Sequence, residues 1–172
     1  APSFGDRLFA FERAVFAVEK AVCIVALAVM LFAISMSVLV RYLDLPIPNF
    51  AEWGVVAMAP LTFIGLAMCT YTGTHIAVDL VNSLGSPLLR RIGRFCTGTA
   101  SIVFAAVYFT SSWIFFRETL QSGEKMMDMG TPLSLPLVFL PVGLVLVLFH
   151  SALEVWRTLA DIAPIAAGEN LP

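Results

Sequence analysis

Charge is what this sequence has least of. Of 172 residues only 13% are Asp, Glu, Lys or Arg, against 59% hydrophobic, and mean hydropathy is +0.91. An ordinary soluble domain is about a quarter charged and about half apolar, and a chain this small leaves much of its surface in water. The shortage excludes a soluble enzyme and a disordered tail. A net charge of −2 offers no basic patch, which excludes a nucleic-acid binder. Three cysteines, Cys23, Cys69 and Cys96, are too few and too scattered for a disulfide framework. The sequence has no Gly-rich phosphate loop, no metal-ligand spacing, and no Ser or Cys beside a plausible base. Neither enzymatic activity nor a cofactor is expected.

What the chain has instead is long uncharged stretches. Windows 21–40, 53–74, 95–116 and 129–149 contain no Asp, Glu, Lys or Arg. A helix needs about 20 apolar residues to cross a hydrocarbon core of about 30 Å, and each window supplies them. A membrane barrel would show segments of about ten residues with period two. The expected fold is therefore an all-α integral membrane protein, one domain over 1–172. It has an N-terminal amphipathic helix at 4–20 and transmembrane helices near 21–42, 52–73, 93–117 and 131–154. Four spans put both termini on one side, with the loop between the second and third helices. That side carries Arg7, Arg13, Lys20, Arg90, Arg91, Arg94 and Arg157, the other only Arg41, Arg117 and Lys125. The positive-inside rule makes the richer side cytoplasmic. All three cysteines then lie near cytoplasmic helix ends, where reducing conditions disfavour disulfides. The first twenty residues mix acids and bases, and the apolar run after them is too long for a secretory signal. The sequence begins at Ala1 rather than Met, which leaves room for residues upstream.

In 4–20, Phe4, Leu8, Phe11, Val15, Val18 and Val22 recur at steps of three and four and share a helical face. Asp6, Glu12, Arg13, Glu19 and Lys20 mostly occupy other faces. Two readings stand: a helix lying in the inner interface, or an extension of the first span packed on a neighbour. Pro46 and Pro48 forbid a helix through the 41–52 connection, so the first two spans form an antiparallel hairpin. The inner connection 73–94 holds a short amphipathic stretch, 75–84. The fourth span follows a Gly130-Thr131-Pro132 break and carries Pro136 and Pro141, whose freed carbonyls need other partners. Ridges of small residues, Gly65, Cys69 and Gly73 on helix two and Thr97, Ser101 and Ala105 on helix three, predict a close contact between those helices.

A coupled transporter needs ionisable groups along a pathway in the membrane, and the four windows hold no carboxylate or amine. No inverted repeat supplies paired broken helices. The chain is not expected to transport anything alone. His75 and His150 lie at similar depth on different helices. They could ligate a haem in a haem- or quinone-associated membrane anchor of a respiratory enzyme; or His75 caps a turn and His150 sits at the headgroup boundary. Arg41 and Glu52 face each other across the first hairpin, either as an interfacial ion pair or as a contact for an outside partner.

The order of features resembles one family. Arg41-Tyr42 closes the first span, Phe50-Ala51-Glu52-Trp53 opens the second, and Phe63-Ile64-Gly65 and Gly73-Thr74-His75-Ile76-Ala77-Val78-Asp79 follow. With Arg90-Arg91 before helix three and Gly130-Thr131-Pro132, Pro136 and Pro141 at helix four, roughly 38–156 resembles the small membrane subunit of TRAP transporters, the DctQ-like family. Tyr71-Thr72 stand where the family often has a basic residue, and Phe50 with the single Glu52 where it often has Trp and Glu-Glu.

The resemblance implies a non-catalytic subunit in a bacterial inner (cytoplasmic) membrane. It would be a scaffold for the large membrane subunit of a sodium-coupled, tripartite importer of organic acids. Its partners would be that subunit, membrane lipids and, transiently, a periplasmic substrate-binding protein. Arg41, Glu52, Trp53, His75, Asp79, Arg90 and Arg91 are the candidate structural and interface residues. The polar outer loop, with Arg117, Glu118, Glu124, Lys125 and Asp128, is a candidate docking surface for the binding protein or else a solvated loop with no partner.

Overall fold

The computed structural model describes residues 4–48, 50–73 and 87–160. Helix α1 spans Phe4–Tyr42, α2 Ala51–Thr72, α3 Pro87–Ser122, α4 Ser134–Leu137 and α5 Phe139–Leu159. Among the described residues, four stretches are long and apolar enough to cross a membrane: Arg7–Tyr42, Ala51–Thr72, Arg91–Ser122 and Ser134–Leu159, the last combining α4 and α5. Every charge-free window falls within one of these helices or at its edge.

No break separates an N-terminal amphipathic helix from the first span. At 1.5 Å per residue the 39 residues of α1 extend about 58 Å, nearly twice the hydrocarbon thickness. Nothing in 4–42 breaks a helix, since it holds no proline and its one glycine is Gly5, in the first turn. The chain turns only at Leu43 and Asp44, the latter in the left-handed region at φ 49°, before Pro46 and Pro48. At the far end of α2, Gly73 takes φ 64° and its N–H donates to the Cys69 carbonyl, closing the helix with a glycine cap.

Helix α5 packs against both α2 and α3, and α2 in turn packs against α1. Ala67, Ala105, Leu144 and Val147 are buried where α2, α3 and α5 meet. The close approaches are made by glycines. A Cβ on Gly143 would lie 2.6 Å from the Phe63 carbonyl oxygen, and one on Gly98 would lie 2.7 Å from Val155. Small residues bring membrane helices together because packing replaces the hydrophobic drive in lipid. The expected ridge contact between helices two and three does not form. Gly65 meets open space, Cys69 is exposed, and it is α5 that packs against α2, through another face. Farther along, α2 and α3 flank an open apolar cleft of about 310 Å³ lined by Phe63, Leu66, Phe104, Tyr108 and Leu140.

The outward faces are apolar. Ile24, Val25, Leu31, Phe32 and Val38 of α1 and Val103, Val107 and Ile114 of α3 are more than half exposed, the inverse of a soluble bundle.

Candidate functional site

Seven residues are two helical turns, so Glu12 and Glu19 lie on one face of α1, as His150 and Arg157 do on α5. The two pairs face each other. The His150 Nδ1 lies 3.3 Å from Glu12 Oε1, and its Nε2 lies 3.1 and 3.3 Å from the two oxygens of Glu19. Arg157 Nη2 donates to Glu12 Oε2, and its Nη1 is 3.6 Å from Glu154. None of the four is more than 3% exposed. Charges are buried in this way only when paired, because desolvation of a lone ion costs more than packing returns. With an imidazolium at position 150 the four groups sum to zero and both ring N–H groups donate to carboxylates.

Aromatic rings enclose this cluster. The Arg157 guanidinium lies 4.8 Å over the Phe9 ring, a cation–π contact, and Phe9 stacks on Trp156. Tyr71 stacks on Phe16 at 4.3 Å and presents to His150 at 5.3 Å. The hydroxyls of Tyr71 and Ser151 are buried without a hydrogen-bond partner among the described residues.

Of the two readings of 4–20, the structure favours an extension of the first span packed on a neighbour. Phe11 and Val18, members of the predicted apolar face, are 59% and 64% exposed, whereas Glu12 and Glu19 are buried. The segment extends the first span and packs on α5 through its acids. His150 is buried in the bundle, and both ring nitrogens face carboxylates, which leaves none for an axial bond to haem. His75 and Asp79 lie outside the described residues.

A second carboxylate organises the opposite end. Glu52 is 4% exposed; its Oε2 accepts from the Met129 N–H at 2.7 Å and its Oε1 from the Thr131 N–H at 2.9 Å. It thus clamps the turn at Gly130, which takes φ 73°. Above the clamp the chain forms a small hairpin, with Met126 N–H donating to the Thr131 carbonyl at 2.8 Å and Leu133 N–H to that of Glu124 at 3.0 Å. The expected Arg41–Glu52 pairing is absent among the described residues. Arg41 is exposed, because the oxygens of Glu52 are spent on a turn 77 and 79 residues away.

The remaining candidates are dispersed. Trp53 is 43% exposed at the start of α2. Arg91 donates to the Leu159 carbonyl at 3.3 Å, tying the start of α3 to the end of α5. Arg90 occupies the first turn of α3. Arg117 and Glu118 are exposed near the end of α3, and Glu124, Lys125 and Asp128 are exposed on the clamped hairpin. Cys23, Cys69 and Cys96 are free thiols. Glu12, Glu19 and Arg157 were not candidates on sequence. The signal that could have found them is the pair of seven-residue repeats, acid to acid at 12 and 19 and base to base at 150 and 157.

No curated protein matches this sequence. The family model for the DctQ component of tripartite ATP-independent periplasmic transporters matches residues 30–161. That range takes in the last third of α1, all of α2 to α5, the Glu52 clamp, and His150 and Arg157, but not Glu12 or Glu19. The chain is a multi-pass membrane protein and belongs to the DctQ family, the small-component family of TRAP transporters.

Proposed function

We propose that this chain is the non-catalytic small subunit of a sodium-coupled, binding-protein-dependent importer of organic acids, and that it serves as a scaffold for the large transport subunit in a bacterial inner membrane. The observation that carries this is how its buried ionisable groups are used. Glu12, Glu19, Glu52, His150 and Arg157 all bind other groups of the same chain, which favours a role in holding shape over a role in moving an ion. The apolar outer faces of α1 and α3 suit lipid and the flank of a larger membrane protein. A tagged chain purified from its native membranes is expected to bring down a large polytopic protein in stoichiometric amount. Recovery with a respiratory enzyme instead would refute the proposal.

In this reading both termini and the 73–94 connection are cytoplasmic, and His75, Asp79, Arg90 and Arg91 anchor that connection to protein or anionic headgroups. A cysteine placed at Ser122 should react with an impermeant thiol reagent outside intact cells, and one at Ser86 should not. The reverse labelling would invert every side assignment. The clamped hairpin then faces the periplasm, where Arg117, Glu118, Glu124, Lys125 and Asp128 supply a charged rim for transient contact with the binding protein. Such rims act mainly on association rate and its salt dependence.

A further inference from the structure

We propose that the Glu12–His150–Glu19 triad is a proton-operated latch that fastens the first third of α1 to α5. The proton count of the triad leads to this. A neutral imidazole has one N–H donor and one acceptor nitrogen. Here both nitrogens face carboxylate oxygens, Nδ1 toward Glu12 and Nε2 toward Glu19. A neutral ring can therefore satisfy one acid only, and its other nitrogen sets a lone pair against the second carboxylate. One additional proton, taken from the solvent, turns that repulsion into a charge-assisted hydrogen bond.

The surrounding charges sharpen the dependence. From α1 the ring is faced by Glu12 and Glu19, and from α2 by the edge of Tyr71, which itself lies in the field of Arg13. On α5, Arg157 is committed to Glu12 and approaches Glu154, which in turn feels Arg94 of α3. Arg157 thus balances Glu12, and the proton on His150 is what balances Glu19. When that proton leaves for bulk water, the buried cluster is left with one negative charge in excess, and the ring keeps a single N–H for the two carboxylates that face it. The inexpensive response is for the 4–19 segment to come away and hydrate the acid.

The matched family region begins at residue 30, so the latch joins a helix inside that region to a segment ahead of it. This inference goes beyond the scaffold role and stands whether or not that role does.

Hydrogen–deuterium exchange of the full chain in lipid nanodiscs, corrected for intrinsic exchange, tests it between about pH 5.5 and about pH 8.5, a range spanning histidine's charge change. Amides of 8–19 are expected to lose protection on the order of tenfold as pH rises, while the 112–121 end of α3 stays constant. Glu19→Gln removes the need for the extra proton, because a neutral ring can donate to Glu12 and accept from the new amide. That variant is expected to stay protected throughout. A wild-type segment insensitive to pH, or a Glu19→Gln segment as sensitive as wild type, overturns the latch. If Glu19→Gln does not fold, the imidazole resonances of His150 in a His75→Asn background decide. Ring titration coincident with loss of protection supports the latch, and ring titration without it refutes it.

Discussion

Arg157→Ala is expected to destabilise the folded chain by about 3–5 kcal/mol, the range for removing one partner of a buried ion pair. The loss comes less from a missing attraction than from what remains. Glu12 is 1% exposed and would be left buried beside a single imidazole that Glu19 already shares. The double variant Glu12→Leu/Arg157→Met removes both charges and leaves the His150–Glu19 pair balanced, so most of the stability should return. Thermal unfolding of the detergent-solubilised chain reads this directly, with a fall on the order of 10 °C for the single variant and a much smaller one for the double. Equal losses in both would mean that the contact of the Arg157 guanidinium with the Phe9 ring, rather than charge balance, sets the cost.

Gly143→Ala is the second large effect. The added methyl would meet the Phe63 carbonyl oxygen at 2.6 Å and its carbonyl carbon at 2.8 Å. Backbone cannot rotate aside as a side chain can, so α5 must move off α2, where Leu144 and Val147 are buried. Overpacking of this kind costs about 1–3 kcal/mol. Gly65→Ala is the matched control: nothing lies within 4 Å of its added methyl, and alanine is the better helix former by about 0.5–1 kcal/mol. Unfolding midpoints should fall for the first and hold or rise for the second. The reverse order would return the close approach to the Gly65 ridge.

These variants mark where the sequence was legible. The spans could be read because a bilayer tolerates almost no charge, so each window between charged residues lies mostly within one long helical stretch. The ends of the hairpins were legible through Pro46, Pro48 and the Gly130-Thr131-Pro132 break, which act locally. What could not be read was the partner of each charge. A helical pattern places Glu12 and Glu19 on one face but does not say whether that face meets water or a base 131 to 145 residues farther on. The pattern alone therefore left both readings of the N-terminal segment open. Glu52 was no easier, since Arg41 is near it in the hairpin, while its donors are backbone N–H groups and the Thr131 hydroxyl of a turn far along the chain. The small-residue ridges were real features of the sequence, but which helix fills a groove is decided by the whole bundle.

The scaffold reading itself is tested most directly by uptake into proteoliposomes. Labelled organic acids, a dicarboxylate and a sialic acid among them, would be offered under an inward sodium gradient with the cognate binding protein present. The purified chain alone is expected to give no uptake above empty liposomes, and the complex that it brings down from native membranes is expected to give sodium-driven uptake. Sodium-driven uptake by this chain alone would contradict the account.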